Sequence, residues 1–248
     1  MRVDVIFGGA ALTPSDVAGK VVAVIDVLRA STSIAVALAN GARTVIPLES
    51  PDDVVTRAKA FERSDVRLAG ERRMLPISGF DFGNSPREFT REAVEGKTVL
   101  MTTTNGTPAI ANSQGARDVV IASYVNYSAV LAMLRSALRG GAHILIVCAG
   151  RDRQFALEDA GCAGRYVANV SKRLADAELN DAAQACMLIH KRYGDQVMQL
   201  FEASEHGRAL AKAGFGEDLA FCAAMDSYSV IPIYQDRQIT KLGPDRER

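Results

Sequence analysis

A three-layer α/β/α domain built on a mostly parallel sheet is the fold class that three features of the sequence predict. Short β-branched apolar runs alternate with amphipathic stretches up to about Leu174, and such alternation places helices on both faces of a parallel sheet. Two segments repeat one plan of strand, polar loop, helix, glycine turn and strand. The polar clusters close the apolar runs, and open α/β sheets bind ligands beyond the carboxyl ends of their strands.

In chain order, the alternating pattern of Met1-Arg-Val-Asp-Val-Ile-Phe predicts a first strand over 3–7. The run Val21-Val-Ala-Val-Ile is continuous and β-branched, the signature of a strand over 21–25 buried on both faces. It ends in Asp26, Arg29, Ser31 and Thr32, and an amphipathic helix over 31–40 follows. Gly41-Ala-Arg then turns the chain into a strand over 44–47. A helix over 52–63 and a strand over 66–69 come next. The run Lys97-Thr-Val-Leu-Met-Thr-Thr-Thr-Asn-Gly-Thr-Pro repeats the first unit, with a strand over 98–102, hydroxyls, a turn at Asn105-Gly106 and a helix over 108–113. Gly115-Ala-Arg again leads into a strand, 119–122. A helix over 128–138 and a strand over 144–148 complete a third strand-to-helix crossing, where Arg151, Arg153, Glu158 and Asp159 open a helix over 157–174. Beyond it the pattern is helical, over 181–192, 195–203, 207–213 and 217–225. A closing pair over 230–234 and 238–241 reads as a short hairpin or edge strand.

The 248 residues are enough for one α/β domain over 1–242. The composition also permits two lobes with a boundary near 92–97, and the tail 243–248 is expected to be disordered. Formal charge is zero and basic residues are not clustered, which gives no footprint for nucleic acid. No apolar run approaches the roughly 20 residues that span a bilayer, and the N-terminus is unlike a signal peptide, so a cytoplasmic location is expected. Cys148, Cys162, Cys186 and Cys222 are too scattered for a zinc site and read as buried small hydrophobes. His143 and His190 read as structural.

A strand-to-helix junction presents free N–H groups and the positive end of a helix dipole, which favour anions. Asp26 adds an oxygen ligand and Arg29 a two-pronged phosphate clamp. Asp26 capping its own helix, and Glu158 and Asp159 complementing theirs, are the plainer readings of the same residues. Between the first two loops, 70–88 is rich in Gly, Pro, Ser and Asn yet carries Glu71, Asp81, Asn84, Phe80 and Phe82. Long loops in compact domains are commonly functional, and the phenylalanines predict one folded back over the pocket.

Several chemistries are excluded by spacing. No strand-end loop carries G-x-G-x-x-G, and there is no Walker loop or H-E-x-x-H. Six positions past Cys148 stands Gln154, not the arginine of a cysteine phosphatase. Asp26 lacks a second aspartate two positions on, and His206 follows Glu205, not arginine. Carboxylates with arginines and hydroxyls remain, a set suited to Mg²⁺ and phosphoryl transfer by charge neutralisation and positioning.

The segments Ile25-Asp-Val-Leu-Arg-Ala-Ser-Thr, Gly70-Glu-Arg, Gly79-Phe-Asp-Phe-Gly-Asn-Ser-Pro, Thr103-Thr-Asn-Gly-Thr, Cys148-Ala-Gly and Leu157-Glu-Asp-Ala-Gly-Cys-Ala-Gly resemble the 2-phosphosulfolactate phosphatase family. So does Ser204-Glu-His-Gly-Arg-Ala-Leu, followed by Gly214 and Asp218. The similarity runs in order from about residue 20 to 230. One departure is Arg73-Met74, where a glycine is expected soon after Gly70-Glu-Arg. The resemblance implies Mg²⁺-dependent hydrolysis of 2-phospho-3-sulfolactate to 3-sulfolactate and phosphate, a step towards coenzyme M in methanogens.

The expected site then has Asp26, Arg29 and Glu158 as catalytic residues. Ser31, Thr32, Asn84, Thr103, Thr104, Asn105, Gly106, Thr107 and Arg151 are the expected substrate contacts. Asp26, Glu71, Asp81 and Asp159 are the expected Mg²⁺ ligands. The expected partners are a small anionic phosphoester and further copies of the chain in a homo-oligomer. Two other functions fit the same loops: a phospho-ligand-binding protein without turnover, and a phosphatase of another phosphorylated hydroxyacid such as phospholactate.

Overall fold

The computed structural model describes residues 1–9, 12–152, 154–170, 172 and 177–243. Arg153, the end of the helix predicted over 157–174 and residues 244–248 of the predicted tail lie outside the described residues. The elements in chain order are β1 (Arg2–Phe7), α1 (Pro14–Val17), β2 (Val21–Ile25), α2 (Ala30–Ala39), β3 (Thr44–Pro47), α3 (Pro51–Ala58), β4 (Val66–Arg72) and β5 (Leu75–Pro76). There follow α4 (Arg91–Val94), β6 (Thr98–Thr102), α5 (Gly106–Asn112), β7 (Asp118–Ala122), α6 (Tyr127–Arg139), β8 (Ile144–Cys148), α7 (Leu157–Val170) and β9 (Glu178–Leu179). The chain closes with α8 (Asp181–Tyr193), α9 (Val197–Ala203), α10 (Glu205–Leu210), α11 (Gly216–Ala223), β10 (Pro232–Gln235) and β11 (Gln238–Lys241). No helix among the described residues is long and apolar enough to cross a membrane.

The strands form one eleven-stranded sheet in the order β5-β4-β6-β3-β11-β10-β7-β2-β8-β1-β9. Two parallel groups, β4-β6-β3 and β7-β2-β8-β1-β9, are joined through the antiparallel hairpin β10–β11. The closing pair of strands is therefore a hairpin but not an edge. β11 meets β3 at Ile239↔Val45, and β10 meets β7 at Ile233↔Val120 and Tyr234↔Val119. Ile239 and Ile233 are buried there, so the sheet centre is the hairpin's apolar destination.

The internal repeat has a topological consequence. The first unit starts in β2 and ends in β3, and the second starts in β6 and ends in β7. β2 pairs with β7 while β3 pairs with β6, so each unit leaves one parallel group and enters the other. The turns match in detail. Gly41 and Gly115 take φ of 95° and 96°, left-handed values that suit a residue without Cβ. Arg43 N–H then donates to the Lys97 carbonyl at 2.8 Å, and Arg117 N–H to the Lys20 carbonyl at 2.9 Å. The crossed exchange brings the loops after β2 and β6 to the same end of the molecule.

Three layers result. One sheet face carries Val3, Val5, Val21, Ala23, Ile25, Ile144 and Ile146, packed against Tyr127, Leu134, Ala163, Tyr166 and Cys186 of α6, α7 and α8. The other carries Val22, Val24, Val119, Ile121, Leu145 and Val147, packed against Ile34, Ala35 and Leu38 of α2 and Ala109 and Ile110 of α5. Residues 30 to 38 of α2 are all buried, as expected of a helix enclosed on every side. The amphipathic helix read over 31–40 is in fact a core element, because it packs against β3, β7, β10 and β11 together.

Some elements escaped the sequence pattern. α1 and α4 are four residues long, too short for helical periodicity to show. α3 stops at Ala58 instead of Arg63, and Phe61 turns in against Val54 and Val66. The helix predicted over 207–213 begins at Glu205, where Ser204 Oγ accepts from Gly207 N–H, and gives way at Ala211 to a wide turn through Gly214 at φ 92°. The predicted loop 70–88 is partly strand. β4 continues to Arg72 and returns as β5 through the two-residue turn Arg73-Met74. The rest folds back as the phenylalanines predict, with Phe82 edge-on to Phe89 at 5.4 Å between centroids.

Candidate active site

The loops after β2, β6 and β8 open onto one cleft of about 320 Å³ at the carboxyl ends of the strands. It is lined by Asp26, Leu28 and Arg29 from the first loop, Thr104 and Asn105 from the second and Arg151 and Asp152 from the third. Glu71, Arg73, Met74 and Asn84 of the β4–β5 hairpin and its following loop form one wall, and His206 and Leu210 of α10 another. An adjoining cleft, lined by Phe155, Leu157, Glu158 and Ser204, shares Arg151, Asp152 and His206 with it.

Asp26 lies at the base. Its Oδ1 accepts from Ala30 N–H, the first residue of α2, at 3.3 Å, while the N-cap position itself is Arg29 and not Asp26. Oδ2 points across to α5, 2.7 Å from where a Cβ on Gly106 would lie. The same Cβ would be 2.5 Å from Ala30 Cβ, so the first turns of α2 and α5 can meet only because residue 106 lacks a side chain. Burial pushes the Asp26 carboxyl up to about 6, opposed by His206 and the Ala30 N–H and reinforced by negative charge on Glu71 and Glu158.

Most of the other expected site residues build the scaffold. Glu71 Oε1 accepts from Thr104 N–H at 2.7 Å and Oε2 from Met74 N–H at 2.8 Å, tying the second loop to the hairpin turn. Asp159 Oδ1 accepts from Val27 N–H at 2.9 Å and Oδ2 from Gly150 N–H at 3.0 Å, tying the first loop to the third. Its carboxyl is held well above the usual carboxylate range, chiefly by burial and then by Asp26 and Glu158. Ser31 Oγ donates to the Asp26 carbonyl, and Thr32 Oγ1 to the Val27 carbonyl. Thr103 and Thr107 bond reciprocally, each hydroxyl accepting the other's N–H at 3.0 Å. These four hydroxyls are buried and committed to the loops.

Asp81 stands apart from its expected ligand role, and Arg29 enters the cleft with part of its guanidinium already bound. Asp81 does not line the cleft; its carboxylate accepts from Arg63 at 2.5 Å and from Leu68 N–H at 2.8 Å, fixing the outer loop to β4. Arg29 does line it, but its guanidinium is already held. Nη1 donates to Asp218 Oδ2 at 2.7 Å, Nη2 donates to the Met74 carbonyl at 2.9 Å, and the group sits 4.2 Å from the Phe215 ring centroid. Arg151 faces the cleft with Nη1 on Glu205 at 3.0 Å. Asn105 Oδ1 accepts from Asp152 N–H, joining the second and third loops.

Asp218 and His206 were not singled out from residue chemistry. Asp218 is buried on α11, with Ser85 Oγ donating to its other oxygen at 2.6 Å. His206 Nδ1 lies 3.1 Å from Glu158 Oε1. Both stand in the late segment that carries the family resemblance, and nothing in their spacing pairs them with Arg29 or Glu158. Two buried atoms in these walls, Glu158 Oε2 and Asn84 Oδ1, have no hydrogen-bond partner among the described residues. Buried polar atoms are almost always satisfied, so each calls for a partner from outside the chain, a water or a bound group.

The donor set suits an open Mg²⁺ site more than a closed cage. Among the described residues no group of three or more His, Cys, Asp or Glu side chains is set to enclose a metal. No hydrogen bond among the described residues reaches Asp26 Oδ2, Glu71 is a charged neighbour, and Mg²⁺ commonly takes one or two carboxylates with water and substrate phosphate.

Residues 10–237 match the family model of 2-phosphosulpholactate phosphatase. The chain is 39% identical over 227 residues to a probable 2-phosphosulfolactate phosphatase of Symbiobacterium thermophilum, covering 92% of this chain and 96% of that protein. Similar proteins of the same description occur in Clostridium botulinum strain Alaska E43, 36% identical over 98% of this chain and all of that protein, and in Caldanaerobacter subterraneus, 37% identical over 88% of each.

Proposed function

Because the chain belongs to the 2-phosphosulpholactate phosphatase family, we propose that it is a phosphoric monoester hydrolase releasing phosphate from 2-phospho-3-sulfolactate. The observation that carries this is the convergence of Asp26 with Arg29, Arg73 and Arg151 on one small cleft. A three-carbon substrate with a phosphate, a sulfonate and a carboxylate needs several cationic contacts, and guanidinium groups suit such oxyanions. Mg²⁺ would be held by Asp26 with Glu71 beside it, and when bound it neutralises phosphate charge. Arg29 holds an anionic group near Asp26, while Glu71, Asp159 and Asn105 keep the three loops in register. Asn84, with its unsatisfied amide oxygen, contributes a polar contact from the overlying loop.

The test is phosphate release from 2-phosphosulfolactate with Mg²⁺ and with EDTA, beside sulfonated and carboxylated phosphoester analogues. Metal-dependent release that favours the sulfonated ester is expected. Tight binding of the ester without release would instead establish a binding protein. Preference for phospholactate would move the substrate to another hydroxyacid.

A further inference from the structure

We propose that His206 is the general acid of the hydrolysis, donating a proton from Nε2 to the ester oxygen as it leaves, with Glu158 as its positioning residue. This rests on the phosphomonoesterase activity proposed above. The hydrolysis leaves an alcohol whose oxygen would depart as a strongly basic alkoxide. A proton supplied in the transition state removes that obstacle, and such help is typically worth about 10²–10⁴-fold.

Inventory of the cleft singles out the donor. Among the described residues no lysine, tyrosine or cysteine lines it, and its arginines do not release protons in proteins. Both Glu71 oxygens are engaged by backbone N–H groups of Met74 and Thr104, and Asp26 faces the metal-binding role. Asp152 turns its side chain out to solvent beside Arg151, 3.8 Å away, and His206 remains, the residue type suited to giving and regaining a proton near neutral pH. Its geometry is prepared. The ring's Nδ1 is 3.1 Å from Glu158 Oε1, which leaves Nε2 as its other polar atom. Glu158 is buried in the first turn of α7, and α10 is fixed by the Ser204 cap. This is the arrangement in which a carboxylate orients an imidazole for proton transfer.

In the step, the water oxygen bonds to phosphorus as the phosphorus–ester oxygen bond breaks. The ester oxygen takes the Nε2 proton and leaves as the alcohol. One proton of the attacking water stays on the phosphate, and the other passes to solvent, from which His206 is reprotonated.

The experiment compares two substrates, 2-phosphosulfolactate and 2,4-dinitrophenyl phosphate, whose leaving group needs no proton. His206→Gln and His206→Ala should lower kcat for the sulfolactate ester by about 10²-fold or more and change the aryl ester by less than about threefold. Glu158→Gln, which keeps shape but not charge, should show the same selectivity with a smaller loss. An equal loss on both esters would make His206 a structural or binding residue and overturn the proposal, as would no loss on either. A wild-type chain inert on every phosphomonoester would overturn the phosphatase function and this proposal with it. Wild-type turnover with unselective variants overturns this proposal alone.

Discussion

Arg29 Nη1 lies 2.7 Å from Asp218 Oδ2, joining residues 189 positions apart through a fully buried ion pair. The pair ties α11 to the first active-site loop from behind, and Ser85 on the other carboxylate oxygen brings in the loop that carries Asn84. Removing one partner of a buried pair leaves an uncompensated charge, at a cost of about 3–5 kcal/mol. Asp218→Ala should therefore lower the melting temperature steeply and disorder the Arg29 side chain. Asp218→Asn, which can still accept from Ser85, should lose less. Equal melting temperatures for Asp218→Ala and wild type would refute the account.

Arg29→Lys keeps the charge but cannot reach Asp218, the Met74 carbonyl and the Phe215 face together. Catalytic efficiency should fall roughly 10²-fold or more, the order seen when one aimed donor is lost. The buried contacts add a stability loss of about 1–3 kcal/mol, which the sequence alone did not suggest. Steady-state kinetics beside thermal unfolding measures both, and near wild-type efficiency would return Arg29 to a purely structural role.

Asp26 sets function against stability. Its carboxyl sits at about 6 against an ordinary 3.8, so the folded state holds its proton more tightly than the unfolded state. The associated stabilisation is fully present below the ordinary value and is lost as pH rises through about 6. In EDTA, Asp26→Asn should exceed wild type in unfolding free energy at pH 7.5 by the order of 3 kcal/mol. The gap should close towards pH 4, while phosphatase activity is abolished. Denaturant titrations at both pH values check this; a pH-independent gap would sink the titration argument.

Gly106→Ala would thrust a methyl between Ala30 Cβ and Asp26 Oδ2. Overpacking of this kind costs typically about 1–3 kcal/mol, and here it displaces the carboxylate itself. A folded variant with activity lowered at least tenfold is expected. Unchanged kinetics would show that the two helix starts can part without consequence.

The hairpin turn offers a stabilising change. Arg73 and Met74 take φ of 52° and 73°, the left-handed values of a type I′ turn, which favours asparagine and glycine. Arg73→Asn should raise stability by about 0.5–1 kcal/mol. Met74→Gly should gain less, because Met74 packs on the core. A lower melting temperature for Arg73→Asn would contradict the strain assigned to this turn.

Much of the site was legible before any fold was known, because its residues cluster where apolar runs end. Asp26, Thr104, Asn105 and Arg151 were read from that pattern and do line the cleft. The hydroxyls of Ser31, Thr32, Thr103 and Thr107 sit in the right loops but turn inward, since backbone groups within a few residues offer nearer partners than a ligand. Asp81 read as a ligand from its composition alone, and Arg63 and Leu68 took it instead.

By itself the sequence determined the strand and helix alternation, the duplicated loop unit and the family, because all three rest on local patterns of polarity and on ordered motifs. Tertiary structure alone decided the rest. It set the β10–β11 hairpin in the middle of the sheet, enclosed α2, paired Arg29 with Asp218 and set His206 against Glu158. Each of these joins segments far apart in the chain, and which partner a buried charge or apolar strand finds depends on the geometry of the whole chain's packing. No periodicity within one segment encodes that geometry.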